Sequence, residues 1–250
     1  MGFFNFEREL SLDLPTDERS WVDENFSWLI SVLGYPQDAA QWKMSAESFP
    51  NSYGTQPTAE VVLEDLKQLL DLPFRVHIQR TEPTRSFGLS PLATEGTFFE
   101  TELDIRAHEF VIHISDELEQ RPHRLLHRLC YEMANIWVAA HLDPSPEEDV
   151  DESFVYLLGI FLQLGALLAQ NMISIERETD GEWERTYQIG SDIPEETYAY
   201  ALALYAHLTD TPRPEWEGYL PTNLRSYFRK ASQFLTKRPS PLRRSDPANH

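Results

Sequence analysis

The five residues Tyr131-Glu132-Met133-Ala134-Asn135 have the spacing of a metal-dependent catalytic motif. In the pattern His-Glu-x-x-His, two imidazoles four residues apart share one helix face and bind zinc, while the glutamate acts as general base towards a metal-bound water. Here the glutamate is present, but a phenol and an amide stand at the two imidazole positions. Neutral tyrosine and asparagine side chains are poor zinc ligands. The pentapeptide therefore indicates the scaffold of a hydrolase that lacks its metal chemistry.

A second candidate metal site lies one and two turns before the pentapeptide. His123 and His127 are also four residues apart and could form a shifted two-imidazole site. Arg124 and Arg128 flank them, and their positive charge opposes the binding of a cation nearby. We interpret both histidines as exposed helix residues, and a metal site built on them is the alternative.

Glu132 has two interpretations. It lies one turn from Arg128 on the predicted helix, and a lone carboxylate beside an arginine is commonly structural, which is the interpretation we favour. The alternative is a relic or working general base, in a divergent metal-dependent hydrolase that uses His127, Glu132 and Glu152. Cys130 falls on the apolar face of the same helix, where a buried thiol is expected rather than a nucleophile.

The helix that must position these residues is predicted from about Pro122 to His141. Tyr131 and Asn135 project to the side opposite its apolar stripe, with Arg124 and Arg128 beside them, so they are expected to face a cleft or solvent. The stripe that is expected to face the core consists of Leu126, Leu129, Cys130, Met133, Trp137 and Ala140.

Other elements follow from periodicity, capping residues and turn signals. Thr16 is predicted to cap a helix that stops at Gly34, and Thr58 to cap a second helix. Pro194 opens a further helix, and Thr222 is predicted to cap the last one. Strands are predicted at 74–78, 98–105 and 110–114, a loop at 81–96, a linker at 143–151, a single buried helix at 154–171, and a hairpin of 173–178 with 182–189.

Composition restricts the classes of partner. The chain has 250 residues with 41 acidic and 21 basic side chains, giving a formal net charge of −20. Such a field repels nucleic acid and anionic membranes and favours encounter with basic partners, although acidity also serves solubility alone. The single cysteine excludes an internal disulfide, and the N-terminus lacks the pattern of a signal peptide. We therefore expect a cytoplasmic protein that binds neither nucleic acid nor membrane.

Several segments resemble a group of bacterial zincin-like proteins. They include Phe49-Pro50-x-x-Tyr53, the lead Pro122-x-x-x-Leu126 into the motif helix, 157–171, Asp180-Gly181-x-Trp183 and 200–206. In those relatives the helix carries His-Glu-Leu-Ala-His, and a Thr-Asp-Leu on the next helix supplies an acidic third ligand. The matching positions in this chain are Tyr131, Asn135 and Tyr156, so the resemblance implies that all three ligand positions are altered.

Together these observations predict an α+β fold, predominantly helical and zincin-like, with a small mixed or antiparallel sheet packed against the motif helix. A single domain is expected over residues 1–235, followed by a basic, proline-containing disordered tail over 236–250. No metal or other cofactor is expected.

The predicted function is that of a non-catalytic pseudo-metallopeptidase that binds a protein partner. An acidic immunity or antitoxin-type protein that neutralises a basic effector is the more specific hypothesis. Arg124, His127, Arg128 and Glu152 are its candidate cleft residues, and the divergent hydrolase remains the alternative.

Overall fold

A computed structural model describes residues 12, 14–36, 40–71, 74–80, 101–104, 109–142, 151–170, 172–180, 183–190, 193–238 and 240–242. The loop predicted at 81–96 and nearly all of the linker predicted at 143–151 lie outside these residues. The chain divides into two compact units. The central unit comprises Gln41–Ile193, and the terminal unit comprises Met1–Ala40 with Pro194–His250.

The central unit is built around one long helix. The elements before it are α2 (Ala59–Leu70), β1 (Arg75–Arg80), β2 (Thr101–Asp104), β3 (Glu109–Ile114) and α3 (Asp116–Glu119). The long helix is α4 (Pro122–Leu142), followed by α5 (Glu152–Phe161), α6 (Gly165–Ala169), β4 (Ile173–Asp180) and β5 (Trp183–Gly190). Helix α4 matches the predicted motif helix and lies against α2, α3, α5, α6 and β2.

The first three strands form a mixed sheet in the order β1-β3-β2. Strand β1 pairs in parallel with β3, with Val76 opposite Phe110, and β2 pairs antiparallel to β3. At the end of α4, the His141 ring lies 5.7 Å from that of Phe74, which in turn meets Phe110 edge-on at 5.5 Å. These aromatic contacts bring the sheet against the motif helix, as the sequence predicts. The predicted hairpin is also present, with β4 antiparallel to β5.

The buried helix predicted at 154–171 is broken in the structure, so that prediction is wrong in its continuity. Helix α5 ends where Gln163 adopts a left-handed φ of 63°, and the Leu164 N–H donates to the Gly159 carbonyl at 2.8 Å, which is a Schellman-type end. The buried Gln41 side chain donates to the Ile160 carbonyl at 2.9 Å and accepts from the Gly165 N–H at 2.7 Å. Because a distant glutamine satisfies backbone groups on both sides of the break, the chain can turn inside an apolar segment.

A Cβ at Gly159 would overlap the Leu168 side chain. The glycine therefore permits α5 and α6 to pack closely after the turn. Both helices are buried: residues 155–160 on α5 and all five residues of α6 lie in the core. The apolar pattern of this segment predicts its burial correctly, although it does not predict the break.

The terminal unit consists of α1 (Thr16–Leu33), α7 (Glu195–Leu208), a 3-10 turn (Glu215–Tyr219) and α8 (Thr222–Lys237). Helix α7 lies against α1 and α8, and its tyrosines at 198, 200 and 205 are at most 1% exposed. Gly34 ends α1 with a φ of 79°, as predicted. Thr16 and Thr222 are the first helical residues rather than caps, because Pro15 and Pro221 occupy the extended capping positions.

Helix α8 extends two residues into the segment predicted as a disordered tail. Beyond it, the Tyr35 hydroxyl donates to the Leu242 carbonyl at 2.9 Å, so described residues of the tail contact the terminal unit. Residues 243–250 lie outside the described residues. The fold is α+β and mostly helical, and no helix among the described residues is long and apolar enough to cross a membrane.

Candidate site on the motif helix

The motif helix α4 is buried on more sides than its sequence pattern predicts. Besides the expected stripe, Leu125, Ala134, Ile136, Val138 and Ala139 are at most 3% exposed. The reason is that five elements, α2, α3, α5, α6 and β2, all lie against α4. A polar residue on such a helix is therefore held by neighbours rather than by water. Tyr131 and Asn135 are both partly exposed, whereas Glu132 between them is 1% exposed.

Glu132 is engaged by Arg128, one turn earlier on the same helix. Arg128 Nη2 and Glu132 Oε1 form an ion pair, in which the arginine side chain is 22% exposed and the glutamate side chain 2%. The contact between Arg128 and Glu132 that the helical spacing predicts is thus present. The spacing does not predict that the contact is buried. The carboxylate is thus held against a guanidinium of its own helix and is almost fully shielded from solvent. The geometry favours a structural role for Glu132.

Two of the three altered ligand positions meet in space. The rings of Tyr131 on α4 and Tyr156 on α5 lie 5.3 Å apart, and the Arg128 guanidinium lies 5.8 Å from the Tyr131 ring centroid. Tyr156 is 6% exposed. The His127 ring is 6.0 Å from that of Tyr156. The place where the resemblance puts a metal is therefore occupied by packed aromatic rings.

The surroundings shift the pKa values of this cluster. Burial raises the pKa of Tyr131 well above its ordinary value, and the charge of Glu152 adds to the effect. Glu152 is the first residue of α5 and is exposed. Tyr131 therefore remains a neutral phenol at physiological pH and does not supply a phenolate ligand.

His127 is held neutral. Burial, with the nearby charge of Arg128, lowers its pKa to about 4. Its Nε2 atom is buried and has no hydrogen-bond partner among the described residues. The expectation that His127 is an exposed helix residue is therefore wrong, because the Tyr156 ring on α5 packs beside it. His123, by contrast, is exposed as expected.

The remaining candidates are dispersed around this cluster. Arg124 is partly buried on α4, and Cys130 is fully buried, with a pKa raised by burial well above that of a free thiol. Across the described ranges, no three histidine, cysteine, aspartate or glutamate side chains come together as a group that could hold a metal ion. His127, Glu132 and Glu152, the donors of the alternative hydrolase, are all among the residues searched. Their arrangement does not support that alternative.

A polar cluster that the sequence did not single out supports the Phe49-Pro50-x-x-Tyr53 segment. The Asp65 carboxylate, fully buried on α2, accepts hydrogen bonds from Asn51 Nδ2 at 2.6 Å and from the Ser52 hydroxyl at 2.6 Å. It also accepts from both backbone N–H groups of these residues. In the sequence, the one indication of this cluster is an aspartate, Asp65, within the apolar pattern of α2. The cluster fixes a loop and explains this segment structurally.

Comparison with known proteins finds no matching family model, no similar curated protein and no similar solved structure. The zincin-like relationship thus depends on the sequence motifs and stays a prediction.

Proposed function

We propose that this protein is a non-catalytic, zincin-like protein that binds another protein. The observation that carries the proposal is the buried ion pair between Arg128 and Glu132. Glu132 is the only residue of the motif with catalytic potential, and Arg128 engages its carboxylate. Tyr131 and Tyr156 place aromatic rings at former ligand positions. A general base without a metal-activated water has little to act on.

The charge of the chain supports a basic partner. A net charge of −20 accelerates encounter with a positively charged protein and makes the complex sensitive to salt. An immunity or antitoxin-type protein that neutralises a basic effector has these properties. We infer this class from charge and from the altered motif, since fold by itself does not determine function.

The direct test is binding of the purified chain to basic proteins encoded beside its gene. Calorimetry at two salt concentrations should give a complex whose affinity falls steeply as salt rises. Failure of every such candidate to bind would remove the immunity hypothesis. Metal analysis of protein purified without chelator addresses the alternative hydrolase. Stoichiometric zinc that is lost in His127→Ala or Glu152→Ala variants would favour the enzyme instead.

A pair of substitutions locates the binding surface. Tyr131→Asp places a charge beside Glu132 and Glu152 and should abolish binding if the partner contacts this cluster. Tyr131→Phe keeps the ring that packs on Tyr156 and is the matched control. If both variants bind like the native chain, the partner contacts another part of the acidic surface.

A further inference from the structure

The terminal unit contains a cavity of about 230 Å³ that is separate in sequence from the motif helix. Arg19 and Asp23 from α1, Tyr200 from α7 and Phe234 from α8 line it, together with Arg238, which directly follows α8. All these residues belong to one compact unit. The cavity is therefore a feature of that unit alone.

Two guanidinium groups gather around one ring in this cavity. The Arg19 and Arg238 guanidinium carbons lie 5.4 and 5.8 Å from the centroid of Phe234. A guanidinium held over an aromatic face keeps its N–H edge available for planar, bidentate hydrogen bonds to an oxyanion. Neither arginine forms a salt bridge with an acidic side chain in the part of the chain that the structure describes.

Asp23, the acidic residue that lines the cavity, already accepts a hydrogen bond. The Tyr200 hydroxyl, on a residue that is 1% exposed, donates to Asp23 Oδ1 at 2.9 Å. Burial raises the pKa of the Asp23 carboxyl, and the hydrogen bond from Tyr200 and the positive charge of Arg19 partly oppose that rise. The lining thus holds two positive groups and one negative group, a local positive excess within a chain of net charge −20.

We propose that this cavity binds a small organic oxyanion, a carboxylate or a phosphate monoester, through Arg19 and Arg238. The site is open to solvent and its volume of about 230 Å³ lies below the roughly 300–1,000 Å³ of sites for drug-sized ligands, which suits a small anion. Phe234 and the neighbouring Leu235 supply an apolar wall for the body of the ligand. Because the Tyr200 hydroxyl and Asp23 are hydrogen-bonded to each other, recognition of the anion is left to the arginines.

The test is titration calorimetry of the full chain at low ionic strength with phenyl phosphate, phenylacetate and the neutral phenylacetamide. We expect saturable one-site binding of at least one anion and none of the amide. The tighter of the two anions identifies the preferred group. Absence of saturable binding by both anions, or equal binding of the amide, would overturn the proposal.

Matched variants separate this site from general charge attraction. Arg238 is exposed, so Arg238→Gln keeps the fold and should weaken anion binding about tenfold, as expected for loss of a charge-assisted hydrogen bond. Lys237→Gln removes the same charge one residue away, outside the lining, and should change affinity less than twofold. Arg19→Gln should weaken binding like Arg238→Gln. Equal effects of the Arg238 and Lys237 substitutions would contradict a defined site.

Discussion

Replacing Arg128 by methionine tests whether the catalytic position of the motif has become structural. The substitution keeps most of the aliphatic volume and removes an ion-pair partner of Glu132, whose side chain is 2% exposed. Removing one partner of a buried ion pair typically costs about 3–5 kcal/mol. Because the Arg128 side chain is 22% exposed and partly hydrated, the lower end applies, and we expect a loss of about 3 kcal/mol in the free energy of unfolding.

The companion variant removes both charges. Replacing a buried pair by apolar residues of similar volume is commonly neutral or stabilising, so Arg128→Met combined with Glu132→Met should recover most of the lost stability. An exposed pair provides the control. Lys67→Met breaks the contact of Lys67 with Glu64, whose side chain is 68% exposed, and should cost no more than about 0.5 kcal/mol.

Urea denaturation followed by far-ultraviolet circular dichroism measures these free energies, and hydrogen exchange of the α4 amides reports the same change locally. A loss below about 1 kcal/mol in the Arg128→Met variant would refute the reasoning. So would a double variant no more stable than the single one. In either case Glu132 would not depend on Arg128, and its role as a general base would have to be considered again.

Three further predictions concern residues on the packed helices α4 and α5. Gly159→Ala should destabilise the chain by up to about 2 kcal/mol, because overpacking against Leu168 costs about 1–3 kcal/mol while the helix propensity of alanine returns about 1 kcal/mol, and urea denaturation measures the net change. The pKa of His127, lowered to about 4 from an ordinary 6.5, means that the unfolded chain binds more protons between these values. Stability should therefore fall as pH decreases from 6.5 to 4, and the His127→Gln variant should lose this dependence. Cys130, buried and with a raised pKa, should react with a thiol reagent only after denaturation.

Each outcome has a result that would contradict it. A Gly159→Ala variant about 1 kcal/mol more stable than the native chain would mean that α5 and α6 are not closely packed. Retention of the full pH dependence in His127→Gln would assign that dependence to other groups. Rapid modification of native Cys130 would show that the motif helix opens readily.

The sequence predicts the elements well where the pattern is local. Helix α4, the β4–β5 hairpin and the end of α1 at Gly34 were recognised from spacing, turn residues and a stop residue. The break between α5 and α6 was not recognised, because it depends on the Gln41 side chain, more than a hundred residues away in sequence. Local periodicity carries no information about such a partner.

In the candidate site, too, some features follow from local sequence and others depend on tertiary contacts. Residue identity alone determined that imidazoles are missing at positions 131 and 135, and that the chain is strongly acidic. Helical spacing was enough to indicate that Arg128 and Glu132 are neighbours. It could not indicate that α2, α3, α5, α6 and β2 all lie against α4, so it left Glu132 and His127 near a surface.

Only the tertiary structure decided the state of these groups. Packing of α5 against α4 places Tyr156 beside Tyr131 and His127, and burial in the fold keeps His127 neutral. The physical reason is that desolvation depends on what a neighbouring element covers, which no single-helix pattern contains. The sequence thus determined which chemical groups are available on the motif helix, and the fold decided that they pack and pair with one another.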